Sequence, residues 1–190
     1  MGSLGATLWL TGLPGAGKST IAQAVAEYLR RRGGRVQVLD GDQLRTNLSA
    51  DLGFTQADRN THVRRTGFVA QLLATHGVTV LVPVIAPYST ARDDVRAQHD
   101  SLGCPYFEVH VATPVTECMR RDPKGLYGRA AAGELSGLTG YDATYQDPVE
   151  PDLWLDTSTT DITAARDAVL GMLSRRVGLP LPGLETVGEY

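Results

Sequence analysis

Gly12 to Thr20 read GLPGAGKST. The run fits the spacing G-x-x-x-x-G-K-[ST] of a loop that holds phosphate. Gly12, Gly15 and Gly17 let the backbone turn so that several N–H groups face one anion, and Ala16 sits within the same turn. A helix that follows such a loop aims its positive end at the same place. Lys18 would reach the β- and γ-phosphates of a nucleoside triphosphate, the Ser19 hydroxyl would ligate Mg2+, and Thr20 would support the α-phosphate side. A nucleoside triphosphate with Mg2+ is therefore the expected donor; the loop alone does not separate a small-molecule kinase from a GTPase or a motor ATPase, and the short chain favours a kinase. The open half of the reaction is which hydroxyl accepts the phosphoryl group.

A second stretch, LDGDQLR, places Asp40 and Asp42 just beyond the end of an expected strand. Ligands of open α/β sheets bind at that edge. Asp42 could accept a proton from an acceptor hydroxyl or help hold magnesium. Asp40 alone is better read as a helix cap. Arg45, one turn along, suits an acidic substrate. The stretch DLGFTQADRNTHVRR adds Phe54, Arg59, Arg64 and Arg65. On one helix the arginines would form a basic strip, and an aromatic beside arginines offers a nucleotide both a stacking face and charge partners. Plain core packing is the alternative for Phe54, and a structural role is expected for at least one of Arg64 and Arg65.

The elements that must carry these residues follow from apolar spacing. ATLWLTG, RVQVLDG, VTVLVPVI, YFEVHV and DLWLDT predict five strands. The continuous run VTVLVPVI suits a strand buried on both faces of a parallel sheet. Helical spacing runs from Lys18 to Arg32 and stops at Gly33–Gly34. A capping-box-like pair, Thr55 and Asp58, opens a long helix through Phe68, Val69, Leu72 and Leu73. Ser89 is expected to cap a polar helix, Pro114 to stand in the first turn of another, and TDITAARDAVLGMLSRR to form the last. Strands alternating with helices predict an α/β fold, a mostly five-stranded parallel sheet with helices on both faces. Between residues 122 and 150 the periodicity fails, and a segment that long predicts a lid. Residues 1–178 are expected to form a single kinase domain, and 179–190 a Pro/Gly-rich tail.

Composition narrows the class. A net charge of −3 argues against a general nucleic-acid or membrane-surface binder. No apolar run reaches membrane-spanning length. The start MGSLGATLWL resembles neither a signal peptide nor a good myristoylation site. Cys104 and Cys118 are far apart and outside any C-x-x-C pattern, which predicts two buried thiols in a reducing cytosol and no metal site.

From about Leu8 to Asp156 the chain resembles the adenylylsulfate kinase (APS kinase) family. The resemblance rests, in order, on GLPGAGKST, LDGDQLR, DLGFTQADR, IAPY, RDPKGLY and GELSGLTGYD. It implies transfer from ATP to the 3′-hydroxyl of adenosine 5′-phosphosulfate by a homodimer. Lys18 and Ser19 would belong to the ATP site, with Arg121 near the adenine and Lys124 near the phosphates. Asp42 would orient or deprotonate the acceptor hydroxyl. Arg45, Phe54 and Arg59 would grip the acceptor's sulfate, base and phosphate. Ala86, Pro87 and Tyr88 belong to the loop beside it.

Several positions depart from the family pattern. Ala86 replaces a serine considered as a phosphate carrier, which leaves direct in-line transfer as the economical route. After Tyr88, STAR keeps only Arg92 of an R-x-D-R pattern. His62 replaces an asparagine. In the lid, Gly128, Ala131 and Ser136 replace family residues, with the basic Arg129 retained, and Leu138 replaces a stacking phenylalanine. Three readings stay open: adenylylsulfate kinase, a relative that phosphorylates another hydroxyl-bearing nucleotide or metabolite, and a non-catalytic nucleotide-binding subunit.

Overall fold

The computed structural model describes residues 5–177; the expected tail at 179–190 and the first four residues lie outside the described residues. Five strands, β1 (Ala6–Thr11), β2 (Val36–Val38), β3 (Thr79–Pro83), β4 (Tyr106–Val111) and β5 (Leu153–Leu155), all pair in parallel in the order β2-β3-β1-β4-β5. Parallel neighbours need crossovers. The connecting helices are α1 (Lys18–Arg31), α2 (Gly41–Asn47), α3 (Gln56–Thr75), α4 (Ser89–Ser101), α5 (Val115–Arg121) and α6 (Leu126–Ala131), and α7 (Ile162–Val177) follows the last strand. The chain crosses from β3 over β1 to β4, which opens a crevice at the strands' C-terminal ends.

The apolar strands serve two cores at once. Leu8, Leu10, Leu81, Phe107 and Val109 face one cluster, closed by Ile21 and Val25 of α1 and by Val169 and Leu173 of α7. Trp9, Val80, Val82 and Tyr106 face the other, closed by Val63, Ala70 and Ala74 of α3 and by Ala91 and Val95 of α4. This two-sided burial explains why the central strands show no alternation in sequence.

The helices differ from expectation in three places. Phe68 and Leu72 of α3 face outward, 56% and 51% exposed, because the buried side of the helix is made instead by His62, Val63, Thr66, Gly67, Ala70, Gln71 and Ala74, four of them small. At Gly67 a Cβ would lie 2.5 Å from Val95 Cγ2, so α3 and α4 pack closely only with glycine there. Ser89 is the first residue of α4 and not its cap; Tyr88 holds that position without a side-chain bond. The Ser89 N–H donates instead to Gln146 Oε1 at 2.9 Å, from the 122–150 segment. Pro114 is the N-cap of α5, one residue before its first turn. The start of α3 is as expected: the Asp58 N–H donates to Thr55 Oγ1 at 3.2 Å, and the Thr55 hydroxyl donates to Asp58 Oδ2 at 2.7 Å.

Overpacking a close contact of this kind costs about 1–3 kcal/mol. Gly67→Ala is expected to lower the urea midpoint by that much stability without changing the slope, and pairing it with Val95→Ala should recover part of the loss.

Candidate active site

The loop after β1 enters α1 through Gly17, whose φ of 99° makes it a left-handed N-cap with no side-chain bond to the helix. The first N–H groups of α1 have no intrahelical partner, as in any helix start. Lys18 is buried, and its Nζ donates to the carbonyls of Gly12 at 2.8 Å and Leu13 at 2.7 Å. Burial lowers its pKa to about 7; the Lys124 charge adds to the effect, while Cys118 and Asp42 oppose it. From beneath, the hydroxyls of Thr113 and Thr157 donate to the Ala16 carbonyl at 3.0 and 2.9 Å. Arg121 donates to the Thr157 hydroxyl and carbonyl and pairs with Glu117.

A cleft of about 850 Å³ opens over this loop. Lys18, Ser19 and Thr20 line one end, with Gly15, Gly17 and Arg121. Asp40, Asp42, Arg45, Phe54, Arg59, His62, Ala86, Pro87, Lys124 and Leu138 line the rest. Of the residues expected at the site, Gly12, Ala16 and Tyr88 lie off the wall; the first two act through their carbonyls from below. A smaller cavity of about 220 Å³ shares Gly17, Thr20 and Arg121 and continues between α1 and α7.

Asp40 caps α2, accepting from the N–H groups of Asp42 and Gln43, and still borders the cleft. The Asp42 carboxylate forms an ion pair with Lys124 across the cleft mouth. Phe54 is 69% exposed, which sets aside core packing. The guanidinium groups of Arg45 and Arg59 lie 4.8 and 5.5 Å from its ring centre. Arg45 Nη1 is buried without a partner, and burial, then the Arg59 charge, lowers the Arg45 pKa. A buried cationic donor with nothing to bond is costly, and an anionic ligand would satisfy it. Arg59 also donates to the Phe54 carbonyl, to Gly137 O at 2.7 Å and to the Thr139 hydroxyl at 3.0 Å, which ties the 122–150 segment to α3. His62 Nδ1 lies 3.0 Å from Ser49 Oγ; burial, then the charges of Arg45 and Arg65, pushes its pKa down to about 4, so the imidazole is neutral near pH 7.

The expected basic strip is not assembled. Arg64 pairs with Asp94 and Arg65 with Asp51, each at its own surface, so Arg59 is the only one of the three on the cleft wall. Leu138 is 7% exposed and packs into the α1–α7 core while its edge borders the cleft. Sequence reasoning missed the braces Thr113 and Thr157 and the role of Gln146. A lone threonine or glutamine carries no spacing signal, so no pattern marks them in advance.

The adenylylsulphate kinase family profile matches residues 4–156. The chain belongs to the adenylylsulfate kinase family. An adenylyl-sulfate kinase of Gloeothece citriformis is 44% identical over 171 residues, 90% of this chain and 95% of the relative. The bifunctional enzyme NodQ of Azospirillum brasilense is 47% identical over 171 residues, but the chain spans only 27% of that protein's length. The solved Mycobacterium tuberculosis APS kinase CysC, in complex with AMPPNP and APS, superposes with a TM-score of 0.88 at 46% identity, covering 90% of this chain and 99% of that one. Family members thus occur both alone and as one part of a longer chain.

Lys18 is half-deprotonated near pH 7 in the free protein, and bound phosphates would favour its ammonium. A contribution of Lys18 to phosphate affinity would be full below about pH 7 and lost as pH rises through the raised, bound-state value. Binding of a non-hydrolysable ATP analogue with magnesium should therefore take up nearly one proton at pH 8 and little at pH 6. Calorimetry in buffers of different ionisation enthalpy measures this, and Lys18→Met should abolish the uptake.

Proposed function

We propose that the protein transfers the γ-phosphoryl group of ATP to the 3′-hydroxyl of adenosine 5′-phosphosulfate. The observation that carries this reading is one continuous cleft that joins Lys18 and Asp42 to the Arg45–Phe54–Arg59 cluster. The solved relative bound to an ATP analogue and APS supports it. Lys18 and the loop N–H groups hold the donor phosphates, and the small cavity beside Arg121 receives the adenine. Asp42 takes the acceptor's proton or orients its hydroxyl once phosphates draw Lys124 away. Arg45 and Arg59 face the acceptor's anionic groups, and its base stacks on Phe54.

Ser19 and Asp42 are both exposed and line the same cleft, and the described residues hold no cluster of three or more acidic, His or Cys ligands. That sparse donor set fits Mg2+, which keeps waters and takes substrate phosphates in place of an all-protein cage. When bound, it would neutralise charge across the β- and γ-phosphates. Ala86 has no hydroxyl, so the loop beside the acceptor cannot carry phosphate there, and transfer is direct and in line. We further read residues 1–178 as one kinase domain and the protein as a cytoplasmic homodimer. Two free buried cysteines support a reducing compartment. A related APS kinase from Thiobacillus denitrificans is described as hexameric, which supports self-association without fixing its order.

One observation favours a second reading, a different hydroxyl-bearing nucleotide or metabolite as acceptor. Phe54 is the only Phe, Tyr or Trp on the cleft wall among the described residues, and Leu138, which also borders the cleft, packs into the core. Intact Lys18, Ser19 and Asp42 speak against a non-catalytic subunit.

ADP release with ATP and adenylylsulfate, run beside a panel of nucleotides and small alcohols, separates the readings. The proposal predicts the highest kcat/KM with adenylylsulfate; a better acceptor in the panel would establish the second. Lys18→Ala should cost at least about 100-fold in kcat. Base stacking contributes roughly 1–3 kcal/mol, so Leu138→Phe should lower the KM for adenylylsulfate about tenfold.

A further inference from the structure

Residues 84–88 follow β3, and the first four of them, Val84 to Pro87, line the acceptor side of the cleft. Their backbone does not hold itself. Ala86 has φ 44°, a left-handed conformation that a Cβ makes costly. Three consecutive carbonyls are gripped from outside the loop. The Thr11 hydroxyl donates to Ile85 O at 2.6 Å, Arg92 Nη1 to Ala86 O at 2.7 Å, and the Gln146 N–H to Pro87 O at 2.8 Å.

The same groups hold the end of the 122–150 segment. The Tyr145 hydroxyl lies 2.9 Å from the Thr11 hydroxyl, and Arg92 Nη2 donates to Gln146 O at 2.8 Å. Gln146 Oε1 accepts from the Ser89 N–H at 2.9 Å and the Ser89 hydroxyl at 3.2 Å. Arg92 is 3% exposed and is anchored by its Nε to Glu108 Oε1 at 2.8 Å. It does not border the cleft. A planar, permanently charged fork fixed at its base by a carboxylate sets two carbonyls from distant segments at a defined separation; a lysine cannot do this.

We infer that Arg92 and Gln146 are positioning residues that clasp the C-terminal end of the lid segment to the acceptor loop. The conformation of Ala86 and Pro87 then depends on where that end of the segment sits. Acceptor binding is sensitive to the clasp, and ATP binding on the far side of the cleft is not. The inference rests on the proposed transfer to adenylylsulfate for its kinetic readout only.

The test uses Gln146→Ala, which removes an exposed side chain's two bonds to Ser89 and leaves the backbone bonds to Pro87 and Arg92 in place, and Arg92→Lys, which keeps a cation opposite Glu108 but cannot span both carbonyls. With ATP and adenylylsulfate as substrates, the acceptor KM should rise about three- to tenfold in Gln146→Ala, as expected for one lost hydrogen-bonding group, and further in Arg92→Lys. The KM for ATP should stay within about twofold. Hydrogen exchange on the free protein should show faster amide exchange at residues 85–89 in both variants, read without any substrate. Unchanged exchange at 85–89 overturns the clasp. So does a parallel rise of both KM values, or a fall in kcat alone, which is what loss of folded enzyme produces. If the wild type does not turn over adenylylsulfate, the functional reading fails, and the exchange result still decides the clasp.

Discussion

The phosphate loop runs backbone against backbone, and the site depends on that contact. A Cβ at Gly12 would lie 2.3 Å from the Val111 carbonyl oxygen at the end of β4. At that separation no side chain can enter, so the loop is seated directly on the end of β4, the neighbour of the strand β1 that it follows. Thr113 and Thr157 then hold the Ala16 carbonyl from below. The Ala16 N–H donates to Leu13 O at 3.2 Å, while the carbonyls of Gly12, Leu13 and Ala16 are taken up by Lys18 and the two threonines and do not face an anion held at the helix start. Burial of Lys18 follows from the same close seating. Its ammonium, held only by two neutral carbonyls, is poised to gain from a phosphate.

From this fixed donor end, the sheet topology sets the acceptor end. β3 lies next to β1, so residues 84–87 line the same crevice as the phosphate loop. β2 lies beyond β3 and delivers Asp40 and Asp42 to the same rim. The cations are distributed unevenly. Arg45 and Arg59 gather at Phe54, while Arg64 and Arg65 are neutralised by Asp94 and Asp51. An acidic protein thereby keeps a cationic pocket without a basic surface.

Much of this is legible in sequence where one local constraint decides the outcome. The phosphate loop, the Thr55–Asp58 start of α3 and the five strands follow from glycine spacing, capping chemistry and apolar runs. Phe54 is ambiguous in sequence because an aromatic suits core and ligand equally; only its exposure sets core packing aside. Phe68 and Leu72 mislead because the tight α3–α4 contact selects small residues, which moves the larger apolar side chains outward. Ser89 misleads because the cap arrives from Gln146, 57 residues away. Arg92 is visible as a remnant of a motif, but its role depends on carbonyls that only the fold brings together.

The central claim is a direct in-line transfer from a nucleotide on the phosphate loop to a hydroxyl beside Asp42, with no phosphate carried on the protein. Stereochemistry tests it most directly. Adenosine triphosphate made chiral at the γ-position, as an isotopically labelled thiophosphate, would be reacted with adenylylsulfate and the configuration of the product determined. The account predicts inversion, the mark of a single displacement. Retention would require two displacements through an intermediate on the protein and would contradict it.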